Sequence, residues 1–227
     1  MKSFYSHGKL LLTGEYVVLD GAIALAVPSI YGQSLNIEKG KDGLLKWTSL
    51  DEHGTIWFKT EFRLDHKNIT SSLTPLDDLS ERLLQILNAA KQLNPEFLND
   101  AQGYQITTEL GFPKNWGLGT SSTLISNIAS WAEVDAYALL ELTFGGSGYD
   151  IACAKATGSL IFQLNKGNIS RSTPNDNEQL ITAVNFNPSF KNHIYFVHLN
   201  HKQNSRDGIK QYRAHNSDAS SSIARVN

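Results

Sequence analysis

The stretch from Gly103 to Ala132 constrains the fold more than any other part of the chain. Gly103–Leu110 (GYQITTEL) alternates apolar and polar residues, which predicts a β-strand. Leu124, Ile125, Ile128, Ala129 and Ala132 recur at helical spacing and predict a helix with one buried face. Between them lies FPKNWGLGTSS, Phe112 to Ser122. The first amides of a helix have no partner within it and carry partial positive charge. Glycines let the backbone approach an anion closely, so a phosphate is the natural occupant. On these residues alone two readings stay open. Either Ser121 caps the helix and the glycines make a turn, or Gly117 and Gly119 cradle phosphate while Thr120, Ser121 and Ser122 donate to it or ligate Mg²⁺. The Walker pattern is excluded because no Gly-Lys-Ser/Thr follows, and the dinucleotide fingerprint because Gly-x-Gly-x-x-Gly is absent.

The rest of the chain mixes both element types. Lys9–Leu12, Tyr16–Leu19 and Ala22–Val27 read as strands joined by tight turns at Gly14 and at Asp20-Gly21. Lys46–Leu64 is also strand-like. Leu79, Leu83, Ile86, Leu87 and Ala90 predict an amphipathic helix over Asp77–Leu93, with Pro95 just past its end. Ala136–Thr143 predicts a short helix, and GSLIFQL and HIYFVHL predict strands. Asn165–Asn187 reads as a linker or long surface loop, and the segment from Asn216 as a frayed end. The order of elements implies an α+β, or mixed α/β, class.

Bulk properties narrow the partners. The 227 residues suffice for one large domain or two small ones. The formal charge of −2 gives no basic excess, so no nucleic-acid partner is expected. A single cysteine, Cys153, rules out an intrachain disulfide and fits a reducing compartment. The N-terminal apolar run Leu10–Leu12 is too short for a signal peptide or a span. The expectation is a cytoplasmic protein with no membrane partner.

Pro113, Gly117, Leu118, Gly119, Thr120 and Ser121 match in register the pattern Pro-x-x-x-Gly-Leu-Gly-Ser/Thr-Ser. This resembles the second motif of the GHMP kinases, which include galactokinase, homoserine kinase, mevalonate kinase and phosphomevalonate kinase. GKLLLTGEYVVLDGAIALAV, starting at Gly8, resembles the family's first motif. GGSGYDIACAKATGSLIF, starting at Gly145, resembles its Gly-x-Asp segment. Tyr149, in Gly-Tyr-Asp-Ile-Ala, is similar to a bacterial subgroup whose named relatives are mevalonate kinases. The likeness spans roughly residues 5 to 165.

The resemblance implies a two-domain GHMP kinase-like fold. Residues 1–187 would form an ATP-binding domain like the second domain of ribosomal protein S5, and 188–227 the start of an incomplete ferredoxin-like C-terminal domain. It implies ATP-dependent phosphorylation of a hydroxyl on a small metabolite, mevalonate or a related alcohol first and a sugar next. Pro113 and Gly117, Leu118, Gly119, Thr120, Ser121 and Ser122 would wrap the ATP phosphates, and Ser121 and Glu141 would ligate Mg²⁺. Asp150 would be the catalytic base, with Lys9 beside it stabilising the developing alkoxide and lowering the aspartate's pKa. Glu15, Tyr16, Gly148 and Tyr149 would lie on the acceptor side. Tyr16 stands where the family has histidine and His7 where it has proline, which blurs the acceptor.

Nothing after Gly167 resembles the family's third, glycine-rich motif. Either the chain is truncated or it diverges there. An open sheet edge and exposed apolar surface are expected near its end, favouring a homodimer. The alternative function is a catalytically silent nucleotide- or metabolite-binding homologue. Other residues read as structural. Cys153 is buried packing, and Trp47 and Trp57 are core or pocket wall. His193, His198 and His201 form no zinc site. HKQNSRDGIKQY, with Lys202, Ser205 and Arg206, is a capped helix or a contact to an anionic substrate.

Overall fold

The computed structural model describes residues 1–41, 43–65, 68–72, 75–99, 102–165, 178–200, 205–215 and 223. Its strands are β1 (Lys2–Leu11), β2 (Ala24–Lys39), β3 (Leu44–Leu50), β4 (Ile56–Leu64), β5 (Ile69–Ser71), β6 (Tyr104–Leu110), β7 (Leu160–Asn165) and β8 (Glu178–Ala183). Its helices are α1 (Asp78–Leu93), α2 (Thr120–Ala132), α3 (Ala136–Thr143), α4 (Tyr149–Lys155) and α5 (Ser205–His215). The strands form one sheet in the order β5-β4-β3-β6-β2-β7-β8, with β1 also pairing β2. The fold is mixed α/β, as the sequence predicts.

Alternation along the strands sends one row of side chains inward. Leu35, Ile37, Leu45, Trp47, Phe62 and Ile106 meet Leu83, Ile86 and Leu87 of α1 and Ile125, Ile128 and Ala129 of α2 in the main core. A smaller core lies under α4, where Cys153 is fully buried among Val18, Ala24, Ala26, Leu160 and Phe162. α1 starts where the sequence predicts, since the Asp77 carboxylate accepts from the amides of Leu79 and Ser80.

β2 organises the sheet. Its first residues, Ala24–Ala26, pair with β7, and Gln33–Lys39 pair with β6 on that same side. Between these partners lie Pro28, which has no amide to donate, and a bulge in β1 between His7 and Lys9. The break in pairing makes room for the chain that follows β6.

Three sequence expectations are corrected. Tyr16–Leu19 is not a strand: a 3-10 turn spans Val17–Asp20, held between left-handed Gly14 (φ 83°) and Gly21 (φ 97°), and it buries Val18 and Leu19 without a ladder. Asn165–Asn187 is more than a loop, because Glu178–Ala183 pairs antiparallel with β7. HIYFVHL forms no strand. A 3-10 turn ends at His193, and Tyr195, Phe196, Val197 and Leu199 stand exposed and pair with no described strand. β8 ends the sheet with Leu180 and Ile181 exposed. His201, Lys202 and nearly all of the segment from Asn216 lie outside the described residues, as do the side chains of Ser205 and Arg206. No described helix is long and apolar enough to cross a membrane.

Candidate active site

The bulge in β1 turns the backbone of Lys9 away from a regular ladder, and its amide donates to the Leu118 carbonyl at 2.9 Å. Gly8 makes this approach possible: a Cβ there would stand 2.9 Å from the same carbonyl and 2.8 Å from Ser29 Oγ. The Phe112–Ser121 loop is thus stitched to β1 through Leu118. Phe112 and Leu118 are buried with Leu110 beneath it, packed on Leu10 and Trp57. Lys114 lies over the Trp57 ring, 4.2 Å from its centroid.

The loop ends on Gly119, which is left-handed (φ 89°) and is the N-cap of α2. No side chain caps the helix and its first turn holds no acidic residue. The reading of Ser121 as cap therefore fails, and Ser121 is exposed at the first turn. Gly117 is also left-handed, and a Cβ there would meet nothing within 4 Å, so the loop opens outward. Inside, α2 is pinned by polar contacts. Thr123 Oγ1 donates to Gln33 Oε1 at 2.7 Å, Asn127 Nδ2 to the Gln33 carbonyl at 2.9 Å, and Ser6 Oγ to Asn127 Oδ1 at 2.9 Å. Buried and paired, such groups fix the register of the helix on β1 and β2.

α4 brings the aspartate in. Its N-cap, Gly148, is left-handed (φ 85°), and Asp150 stands inside the first turn, where its carboxylate accepts from the Ile151 amide at 3.0 Å. A Cβ on Gly148 would fall 2.9 Å from the Tyr137 ring, so this glycine is needed for shape as well as for its φ. Burial pushes the Asp150 carboxyl above the usual carboxylate range; Lys9, the Ile151 amide and the Ser122 hydroxyl oppose that rise. Ser122 Oγ also reaches the Gly119 carbonyl at 2.9 Å, linking the aspartate to the loop. The Lys9 ammonium lies 5.4 Å from the Tyr149 ring centroid. Burial, Asp150 and Glu15 all raise the Tyr149 phenol. Burial and Asp150 lift the Cys153 thiol to about 12, which keeps it protonated and inert. Lys9, Ser122, Tyr149, Asp150 and the Gly119 turn therefore share one locality, with Glu15 near enough to be felt.

Set against solved structures, the chain is similar to Lactococcus lactis galactokinase complexed with galactose, at 14% identity and a TM-score of 0.55, over 82% of this chain and 48% of that one. The fold is that of the GHMP kinases. Streptococcus pneumoniae phosphomevalonate kinase, solved with phosphomevalonate and AMPPNP, is 16% identical with a TM-score of 0.50, over 72% of this chain and 50% of that one. Methanococcus jannaschii mevalonate kinase is 14% identical with a TM-score of 0.50, over 71% and 53%. The chain thus spans about half the length of these GHMP kinases. No protein-family model and no curated protein sequence matches it.

Not every residue expected from the GHMP resemblance joins this locality. Glu141 is exposed on α3, and no hydrogen bond or ion pair ties it to the first turn of α2. Among the described residues no group of three or more His, Cys, Asp and Glu could hold a metal ion. Glu141 thus offers Ser121 no partnership for Mg²⁺, and the carboxylate that does reach the first turn of α2 is Asp150, through the Ser122 hydroxyl. Pro113 is half-buried at the start of the loop, where its carbonyl accepts from the Trp116 amide at 3.0 Å. Trp47 is core, while Trp57 is partly buried under Lys114. His193 and His198 are both exposed, and the His198 ring meets the Asn115 carbonyl at 3.2 Å.

Sequence reasoning missed Tyr137 and the contacts of Tyr16. Tyr16 is a non-glycine residue at φ 60°, and its ring stacks on Tyr212 of α5 with centroids 5.7 Å apart. Asp20, read only as a turn residue, accepts from the Tyr212 hydroxyl at 2.6 Å and pairs with Arg213 at 3.2 Å. Nothing local in the sequence marks these pairs, since Asp20 and Tyr212 lie 192 residues apart.

Proposed function

We propose that the protein transfers the γ-phosphoryl group of ATP to the hydroxyl of a small metabolite, with mevalonate or a related alcohol first among acceptors. The observation that carries this reading is the convergence of Lys9, Ser122 and Asp150 beside an uncapped, acid-free helix start. Phosphoryl transfer calls for positioning and charge neutralisation more than for covalent chemistry. Main-chain amides from Gly117 to Ser122 would hold the nucleotide phosphates, and Ser121 would offer its hydroxyl to Mg²⁺ carried in with the nucleotide. ATP supplies the transferable phosphoryl group. Asp150 accepts or orients the proton of the acceptor hydroxyl, and its raised pKa places it closer to neutral pH than a free carboxylate. Lys9 offsets negative charge developing on that oxygen. Glu15, Tyr16, Gly148 and Tyr149 line the acceptor side.

The test is ATP consumption against mevalonate, phosphomevalonate, homoserine and a set of hexoses, run alongside calorimetry with an ATP analogue and Mg²⁺. Turnover with one acceptor, abolished in Asp150→Asn, supports the reading. The second reading, a silent binding homologue, draws on Glu141, which stands exposed on α3 with no bond to the first turn of α2 and so does not supply the second Mg²⁺ ligand that the resemblance implies. It predicts analogue binding with no turnover for any acceptor.

A further inference from the structure

α5 reaches back across the whole chain to the turn that carries Glu15 and Tyr16. Its contacts there are specific. The Tyr212 ring stacks on the Tyr16 ring at an interplanar angle of 16°. The Tyr212 hydroxyl donates to Asp20 Oδ2 at 2.6 Å, and Arg213 holds Oδ1 at 3.2 Å. Asp20 is nearly enclosed, with its side chain 10% exposed. Gly208 is buried against the tip of Tyr16, where a Cβ would fall 2.3 Å from the phenol oxygen. The turn itself needs holding. Tyr16 sits at φ 60°, a strained conformation for a tyrosine that persists only when its surroundings impose it. The turn also packs against α4, because Val18 shares the small core with Cys153 and Tyr149 lies against that core; the Glu15 charge helps raise the Tyr149 phenol.

We propose that α5 is a clamp on the Glu15–Asp20 turn, with Tyr212 as the positioning residue that holds Glu15 and Tyr16 in place for the acceptor. The clamp rests on the kinase reading for its purpose, though not for its existence. Tyr212 fixes both ends of the turn at once: Tyr16 by stacking and Asp20 by its hydroxyl. Gly208 leaves the space that the phenol of Tyr16 fills, so the size of residue 208 sets how closely the clamp shuts. The nucleotide loop makes its own contacts, through Leu118 to Lys9 and through Gly119 to Ser122, and none of these bonds involves a described residue of α5.

Two measurements on Tyr212→Phe, Tyr212→Leu and Gly208→Ala test this. Amide hydrogen exchange is followed over residues 14–22, with α2 and β6 as internal controls for folding. Steady-state kinetics give KM for acceptor and ATP separately. In Tyr212→Leu, exchange over the turn and acceptor KM should each rise about ten-fold, while ATP KM stays within about two-fold, a change matching the loss of a stacked ring and a charged hydrogen bond. Tyr212→Phe keeps the ring and should fall between Leu and wild type. Gly208→Ala should follow Leu. Unchanged exchange over 14–22 in Tyr212→Leu would overturn the clamp, and so would acceptor and ATP KM rising together. If the wild-type protein turns over no acceptor, the kinase reading falls by itself. The exchange result alone then decides the clamp: a rise confined to the turn sustains it, and no rise refutes it.

Discussion

Two helices in this molecule begin in the same way and differ in the charge of their first turns. α2 and α4 each start on a left-handed glycine, Gly119 at φ 89° and Gly148 at φ 85°, and neither has a side-chain cap. Both therefore present unpaired amides and the positive end of a helix dipole. At α4 the chain fills that position itself, because Asp150 lies in the first turn and accepts from the Ile151 amide. At α2 the first turn carries only Thr120, Ser121 and Ser122, and no carboxylate. One helix start is satisfied by an internal anion; the other holds none of its own, and under the kinase reading it would take the nucleotide phosphates. The difference shows that a glycine-capped helix start is not in itself a binding site; the charge of the first turn decides whether it is open.

Removing the internal anion should have the largest effect. Asp150→Asn is expected to lower turnover by about 10³-fold, the scale of a lost general base, while analogue affinity at α2 stays nearly unchanged. Parallel loss of binding and turnover would mean that the two helix starts form a single site. Exchanging the glycines comes next. Gly148→Ala drives a Cβ to 2.9 Å from the Tyr137 ring as well as straining φ, and should cost ~2–3 kcal/mol in a denaturant titration. Gly119→Ala meets the movable Ser122 hydroxyl, at 2.6 Å, and the flexible Lys9 side chain, at 3.2 Å, and should cost ~1–2 kcal/mol. Nucleotide affinity should follow the reverse order, falling more in Gly119→Ala. Equal losses of affinity would erase the distinction between the helices.

The α2 side of this comparison was legible in the sequence and the acceptor side was not. A strand period, a glycine turn and a helix period sit within thirty consecutive residues from Gly103, so local rules suffice to place Gly117–Ser122. Lys9 and Asp150 could be paired only through the family resemblance, since their meeting depends on a bulge opposite Pro28 that no local pattern announces. Tyr16–Leu19 and HIYFVHL failed for a common reason. An apolar, β-prone run becomes a strand only when tertiary context pairs it with a neighbour, and pairing is a property of topology. Glu141 was chosen only as the nearest acidic residue before Asp150, and it lies on the exposed side of α3.

The pH dependence of turnover sharpens the contrast at the scale of a single proton. Burial raises the Asp150 carboxyl, and among the opposing influences Lys9 is the largest and Ser122 a smaller one. The acid limb of kcat/KM should therefore lie above the range of a free carboxylate, and Lys9→Met should move it to higher pH. Stability carries the same sign. A group whose pKa is raised on folding binds its proton more tightly in the native state. The wild type should thus lose stability as pH climbs from the ordinary carboxylate range to the raised value and stay level above it, whereas Asp150→Asn should show no such loss. Ser122→Ala is the smallest perturbation, because the hydroxyl is shared with the Gly119 carbonyl and only part of its donation reaches Asp150. Its acid limb should fall between wild type and Lys9→Met. A shift in Ser122→Ala larger than that in Lys9→Met would mean that the hydroxyl, not the ammonium, is the main partner of the carboxylate, and the electrostatic link between β1 and α4 would have to be redrawn through α2.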